Sequence, residues 1–168
     1  MSESPATMET GSWDVLARAA ADRSEGEESI VLQELLAFGL GGDLYALPVE
    51  RVREIVRLRP ITPVPRVPRE ILGVISLRGE IVQVMDLSLR LGAGASEPTR
   101  RSRIIVLHGD EGEVAGLLVD TVSEVLRVSD EAFRPNSSGE SEFVAELCER
   151  DGAFVSMLSL EKVLSIGD

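Results

Sequence analysis

His108 and Cys148 are the single histidine and the single cysteine of this 168-residue chain, and between them they bound the chemistry open to it. A general base needs an orienting partner and a substrate group within hydrogen-bond reach. His108 ends the apolar run Arg103-Ile-Ile-Val-Leu-His108, and when the chain is aligned with itself it falls opposite Phe38, so it reads as a packed or rim histidine rather than a catalytic one. Cys148 has no second thiol to pair with, and one Cys with one His cannot assemble a structural zinc site from nitrogen and sulfur ligands. The glycines form neither G-x-x-x-x-G-K-[ST] nor a G-x-G-x-x-G between strand and helix, so no phosphate cradle is expected. Carboxylates are plentiful, but an acid–base dyad needs two at fixed separation, which no spacing here specifies. The reading is a chain that is not an enzyme and needs no metal or cofactor.

Charge narrows the partners. The net charge is -12, yet residues 50–103 carry eleven arginines against six acids, while residues 1–30 carry seven acids against two arginines and residues 104–168 carry fourteen acids against four bases. Basic stretches that bind nucleic acid interleave their cations with aromatic side chains on which bases stack. Here the arginines alternate with Val, Ile, Leu and Pro, the pattern of solvated strand faces, so no nucleic-acid partner is expected. No apolar run approaches the roughly 18–20 residues that cross a bilayer, and nothing near Met1 resembles a secretory leader. The expectation is a cytoplasmic protein that meets membranes only indirectly.

Several elements must position these residues. Residues 1–30 form an acidic flexible tail with one helical pattern, Ser12–Ala21, where Trp13 and Leu16 share a face and form a candidate tail-docking pair. From Leu35 the pattern becomes short apolar runs separated by turn residues: Leu35–Leu40, Leu44–Pro48, Arg53–Leu58, Gly73–Leu77 and Ile81–Leu87, then Arg103–His108, Val114–Asp120, Ser123–Val128, Phe143–Glu149 and Ala153–Leu158, then a short helix Leu160–Ser165. Two sets of five suggest a duplication. At a constant offset of seventy residues Gly42, Leu47, Val49, Val52, Glu54 and Arg57 recur as Gly112, Leu117, Val119, Val122, Glu124 and Arg127, and after a three-residue shift Val82–Leu87 aligns with Val155–Leu160. Self-similarity of this kind means one supersecondary unit used twice. A unit of five short strands buries one face and protects its edges by curling into a small barrel. The fold class is therefore all-β with short helices: two pseudo-symmetric five-stranded barrels within residues 31–168, the first over about 31–91 and the second over about 102–168. In both repeats the Val-x-x-Val-x-Glu stretch has the spacing of one tight helical turn.

These segments also carry a family resemblance. Asp43-Leu-Tyr-Ala-Leu-Pro-Val-Glu50, Val52-Arg-Glu-Ile-Val56, Ile61-Thr-Pro-Val-Pro65, Gly73-Val-Ile-Ser-Leu-Arg-Gly79, Ile81-Val-Gln-Val-Met-Asp-Leu87, Arg103-Ile-Ile-Val-Leu107, Gly116-Leu-Leu-Val-Asp120 and Ser123-Glu-Val-Leu-Arg-Val128 resemble, in order, the CheW-like domain over about residues 33–166. The resemblance implies paired SH3-like barrels and a free-standing adaptor, because the kinase form of the family would need a phosphotransfer histidine and an ATP-binding domain and the CheV form a receiver domain. It implies two partners, the cytoplasmic tip of a chemoreceptor and the regulatory domain of a CheA-type histidine kinase, with recruitment to receptor arrays. Matched by motif, it implies that Val49, Glu54, Ile55, Arg78 and Ile104 face the receptor and that Val52, Gly116 and Asp120 face the kinase; for Val49 and Ile55 a core position fits the pattern nearly as well. Ser76 stands where the family usually has Asn, and Gln83 where it usually has Pro, two departures that bear on partner choice. The alternative is a CheW-like interaction protein of a non-flagellar signalling pathway that docks another partner through its N-terminal helix.

Overall fold

The computed structural model describes residues 32–109, 114–137 and 141–166. The tail, its helical pattern and the Trp13–Leu16 pair lie outside the described residues. The strands are β1 (Leu32–Leu40), β2 (Asp43–Pro48), β3 (Val52–Arg57), β4 (Ile71–Leu77), β5 (Glu80–Asp86), β6 (Arg103–His108), β7 (Val114–Val119), β8 (Thr121–Ser129), β9 (Phe133–Pro135), β10 (Val144–Arg150) and β11 (Ala153–Leu158). Two one-turn helices, α1 (Leu87–Arg90) and α2 (Leu160–Val163), follow β5 and β11.

The duplication is visible in how the strands order themselves. One sheet runs β8-β1-β2-β11-β10-β9 and the other β3-β6-β7-β5-β4, so each repeat contributes the same pieces in the same order, with β9 as an addition. The helices repeat as well: their C-cap residues, Leu91 (φ -81°, ψ -1°) and Leu164 (φ -86°, ψ -3°), adopt nearly the same backbone.

Both sheets close on themselves. Beyond β3 the chain turns back so that Thr62 pairs with Val74 of β4, each N–H donating to the other's carbonyl at 2.9 Å. Beyond β8 a 3-10 turn (Asp130–Ala132) leads into β9, which pairs with β10. A closed sheet leaves no row of unpaired backbone groups. Closure of the five-stranded barrel depends on Gly73, at φ +145°, because a Cβ there would lie 2.1 Å from the Thr62 carbonyl oxygen.

The division into barrels over 31–91 and 102–168 does not hold. The hairpin β1–β2 joins β8–β11 in the six-stranded barrel, and the hairpin β6–β7 joins β3–β5 in the five-stranded one. Each repeat lends its first hairpin to the barrel of the other. The crossing from β2 to β3 is made by a 3-10 turn over Val49–Arg51. From β7 to β8 it is made by a bend at Asp120 alone, not the second helical turn that the shared spacing suggested. Asp120 holds that bend itself, donating its N–H to the Gly39 carbonyl at 3.1 Å and accepting from the Gly41 N–H at 2.8 Å.

Exchange of hairpins creates three apolar cores. Leu35, Ala37, Leu126, Cys148, Val155 and Met157 fill the six-stranded barrel, and Ile75, Leu77, Val82, Val84, Ile104 and Val106 the five-stranded one. Between them Leu36, Phe38, Leu40 and Leu47 meet Ile105, Leu107, Leu117 and Val119. Strands buried on both faces read as continuous apolar runs, which is why Ile104–Leu107 shows no alternation. Each such side chain contributes about 1.5–3 kcal/mol through removal from water. Phe38 and Tyr45, directly opposed on β1 and β2, stack with ring centroids 6.0 Å apart. Arg90 of α1 ties the repeats together at the far end: its guanidinium donates to the carbonyls of Lys162, Val163 and Ser165, lies 3.7 Å from Glu70 and sits 4.8 Å over the Phe143 ring.

Candidate functional site

The tip of the hairpin β4–β5 and the start of β3 form a charged clasp. A register shift between Val52 and Glu54 in the β3–β6 pairing makes Arg53 an extra residue. A bulge of this kind lets consecutive side chains, which would otherwise alternate, address one side. Arg53 pairs with Glu80, and Glu54 Oε1 lies 3.1 Å from Arg78 Nη2, so two opposite pairs of opposite polarity bind β3 to the hairpin. The Glu80 carboxylate, hydrogen-bonded to Arg53, raises that guanidinium's pKa above its ordinary value against the opposing effect of desolvation. Arg59 adds a donation to the Ser76 carbonyl at 3.4 Å.

Arg78 occupies the turn in a conformation that side chains avoid. Its φ is +52° and that of Gly79 is +84°, the two positive values that a two-residue I′ hairpin requires. Outside glycine and asparagine the left-handed region costs about 1 kcal/mol. That strain is borne while the Arg78 side chain stays 73% exposed, its charge carried at the tip and steadied by Glu54 from beneath. Ile55 and Ile81, on β3 and β5, are 39% and 67% exposed and give the five-stranded barrel an apolar surface.

The residues expected to face the receptor do not all reach a surface. Glu54 and Arg78 come together on the five-stranded barrel, and Ile55, the next residue of β3, is exposed on that barrel. Val49 is half-buried and packs on the seam between the barrels. Ile104 has no exposure: it points into the five-stranded barrel among Val82, Val84 and Leu118, so its role is packing. On the kinase side Val52 also packs on the seam. Gly116 is a core position, where a Cβ would approach Ile104 Cγ2 to 2.7 Å, and it belongs to the same barrel as Glu54 and Arg78. Asp120 locks the β1–β2 turn. Residues carried over by motif alone include the ones that make the barrel as well as any that make contacts.

Reading the sequence missed two things. Arg53 and Glu80 complete the clasp, and the signal was a pair of charges flanking Glu54 and Gly79. Val125 and Phe154, 53% and 56% exposed on the six-stranded barrel, stand where Ile55 and Ile81 stand on the other, so the repeat places an apolar pair on each barrel. At the tip of β10–β11, Asp151 (φ +53°) and Gly152 (φ +82°) repeat the backbone of Arg78 and Gly79 with the charge reversed. His108, at the exposed end of β6, lines a small apolar pocket with Ile71, Met85, Leu107 and Leu164, and its carbonyl accepts from Arg51 at 3.3 Å. No helix among the described residues is long and apolar enough to cross a membrane.

Twin closed barrels with a shared buried seam and a charged, apolar-flanked turn define a module built for protein contacts, of the scaffold class. A family model described as the CheW-like domain matches residues 34–167. The chain belongs to that family, and with it to the chemotaxis scaffold adaptors. It is 39% identical over 135 residues to the chemotaxis protein CheW of Rhizobium meliloti (strain 1021), covering 78% of this chain and 86% of the relative. Protein FrzA of Myxococcus xanthus is 36% identical over 110 residues, covering 65% and 68%. The crystal structure of the scaffolding protein TtCheW from Thermoanaerobacter tengcongensis superposes with a TM-score of 0.76 at 31% identity, covering 82% of this chain and 95% of that one. These likenesses favour the chemotaxis scaffold over the alternative pathway.

Proposed function

We propose that the chain is a non-catalytic adaptor of the cytoplasm that couples the cytoplasmic tip of a chemoreceptor to the regulatory domain of a CheA-type histidine kinase, reaching the membrane only through receptors. The observation that carries this reading is the Arg78–Glu54 pair at a strained turn, on a barrel that also exposes Ile55 and Ile81. An exposed guanidinium fork offers bidentate donation to a partner's carboxylate or carbonyl, and the isoleucines offer the desolvated centre around which such contacts gain strength. We assign this face to the receptor. The six-stranded barrel, with Val125 and Phe154 in the equivalent places, is assigned to the kinase, whose regulatory domain would present a barrel of like build.

Reconstitution tests the proposal. Receptor and kinase are assembled with and without this protein, and kinase activity is measured in the presence and absence of receptor stimulus. Receptor control of the kinase is expected only when the protein is added; control that is the same without it would sink the reading.

A further inference from the structure

On the outside of the five-stranded barrel Arg57 of β3 stands directly across the ladder from Arg103 of β6. Directly opposed side chains start about 4.5–5.5 Å apart at Cβ, and like charges so placed repel. Neither meets a carboxylate among the described residues: the Arg57 side chain has no hydrogen-bonded or ionic partner, and Arg103 Nη1 donates to the carbonyls of Arg100 at 2.9 Å and Ser102 at 2.8 Å. The turn before β6 adds Arg100 and Arg101, both exposed and without a carboxylate partner among the described residues. Arg57 and Arg100 line one shallow pocket with Leu58, Pro98, Thr99 and Ser102. The turn is firmly built, with the Thr99 N–H donating to Ser102 Oγ at 2.9 Å and the Arg101 N–H to Thr99 Oγ1 at 3.1 Å.

The internal repeat supplies the comparison. Arg127 holds in β8 the position that Arg57 holds in β3, seventy residues earlier in the chain. It is met at 3.1 Å by Glu34 of the neighbouring strand β1. The same place in the scaffold is thus neutralised in one barrel and set against a second cation in the other. A chain with a net charge of -12 has carboxylates to spare for neutralising such a cluster, and none of the described ones is used.

We infer that this arginine cluster is a docking site for a carboxylate-rich segment of a partner protein, additional to the receptor and kinase faces assigned above. Guanidinium forks match carboxylates bidentately. Leu58 and Pro98 line the pocket beside the arginines, so the occupant carries an apolar side chain beside its acids. Extended polyanions fit less well. A membrane surface or nucleic acid repels the whole negative chain, whereas a short acidic segment senses chiefly the charges within a Debye length of about 8 Å. None of the residues lining the pocket is aromatic, so a base has nothing to stack on.

Fluorescence anisotropy on the full chain tests the inference, using a labelled peptide alternating glutamate with leucine and an equal-length glutamine–leucine peptide as control. The glutamate peptide is expected to bind, and to bind more weakly as salt is added, while the control does not. Arg57→Gln combined with Arg103→Gln is expected to weaken binding roughly tenfold or more. Arg127→Gln, the same charge change at the equivalent position of the other barrel, is expected to leave it unaltered. Should the double variant fail to fold, Arg100→Gln with Arg101→Gln, in the turn outside the ladder, reads the same loss. Equal affinity of parent and arginine variants overturns the inference, as does failure of the parent to bind the glutamate peptide. Arginine-dependent capture of phosphatidylglycerol vesicles or of a single-stranded oligonucleotide in preference to the peptide would overturn it as well.

Discussion

Glu54 Oε1, on β3, lies 3.1 Å from Arg78 Nη2, in the turn between β4 and β5. The Arg78 end of the pair is open to solvent, where ion pairs contribute about 0–1 kcal/mol, so the pair matters for the direction in which it holds the Arg78 fork more than for stability. The bulge at Arg53 is what turns Glu54 towards the hairpin.

Replacing either partner, Arg78→Ala or Glu54→Ala, is therefore expected to weaken receptor coupling in reconstituted arrays while the thermal unfolding midpoint stays within a degree or two of the parent, about the shift that a fraction of a kcal/mol produces. Exchanging the charges, Glu54→Arg with Arg78→Glu, rebuilds the pair with the fork reversed. If coupling returns in the exchanged variant, the clasp acts only as a brace and Arg78 makes no contact with the partner.

Gly73→Ala is expected to destabilise the fold by about 2 kcal/mol or more, because its Cβ would meet the Thr62 carbonyl and no L side chain is comfortable at that φ. Gly79→Ala, at a positive φ but in open space, is expected to cost about 1 kcal/mol. Urea denaturation of the two variants measures the difference, and equal costs would show that closure at Thr62–Val74 is dispensable.

Arg90→Ala removes three carbonyl contacts, an ion pair and a ring contact at once, and a loss of about 1–3 kcal/mol is expected. Arg90→Lys keeps the charge without the planar fork and is expected to recover only part of it. Hydrogen exchange should quicken first in residues 160–166, where the carbonyls lie.

Burial pushes the Cys148 thiol pKa up, against a smaller lowering by Arg150, and burial followed by the charge of Asp43 pushes the Tyr45 hydroxyl up. Both groups hold their protons more tightly folded than unfolded. Their contribution to stability is thus fully present below the ordinary thiol and phenol ranges and is lost as pH rises through the raised values. Chemical denaturation from neutral to alkaline pH should show a falling limb, and Cys148→Ser and Tyr45→Phe should each flatten part of it. A thiol reagent should label Cys148 only as fast as the protein opens.

Much of this architecture was legible in the residues. The runs Arg103–His108 and Ala153–Leu158 match β6 and β11 end to end, because turn residues bound them on both sides. Repetition at seventy residues foretold twin barrels, but it could not say which hairpin pairs with which strand, since a repeat specifies units and not their partners. The three-residue β9 left no periodicity to detect, and it ends in a proline. Within the candidate site, Arg78 could be found because a turn exposes its side chain by geometry. Ile104 and Gly116 could not be told from surface positions, because a strand buried on both faces gives the same apolar pattern whichever way a side chain points.

The traded hairpins have a consequence for how the chain is put together. Neither half can complete a barrel from its own residues, so a ribosome that has released only the first ninety residues has delivered no finished unit. Two separate polypeptides cut within residues 92–98 would have to find one another, like copies of a half-length ancestor exchanging arms. The short connector makes that meeting a property of one molecule, independent of concentration.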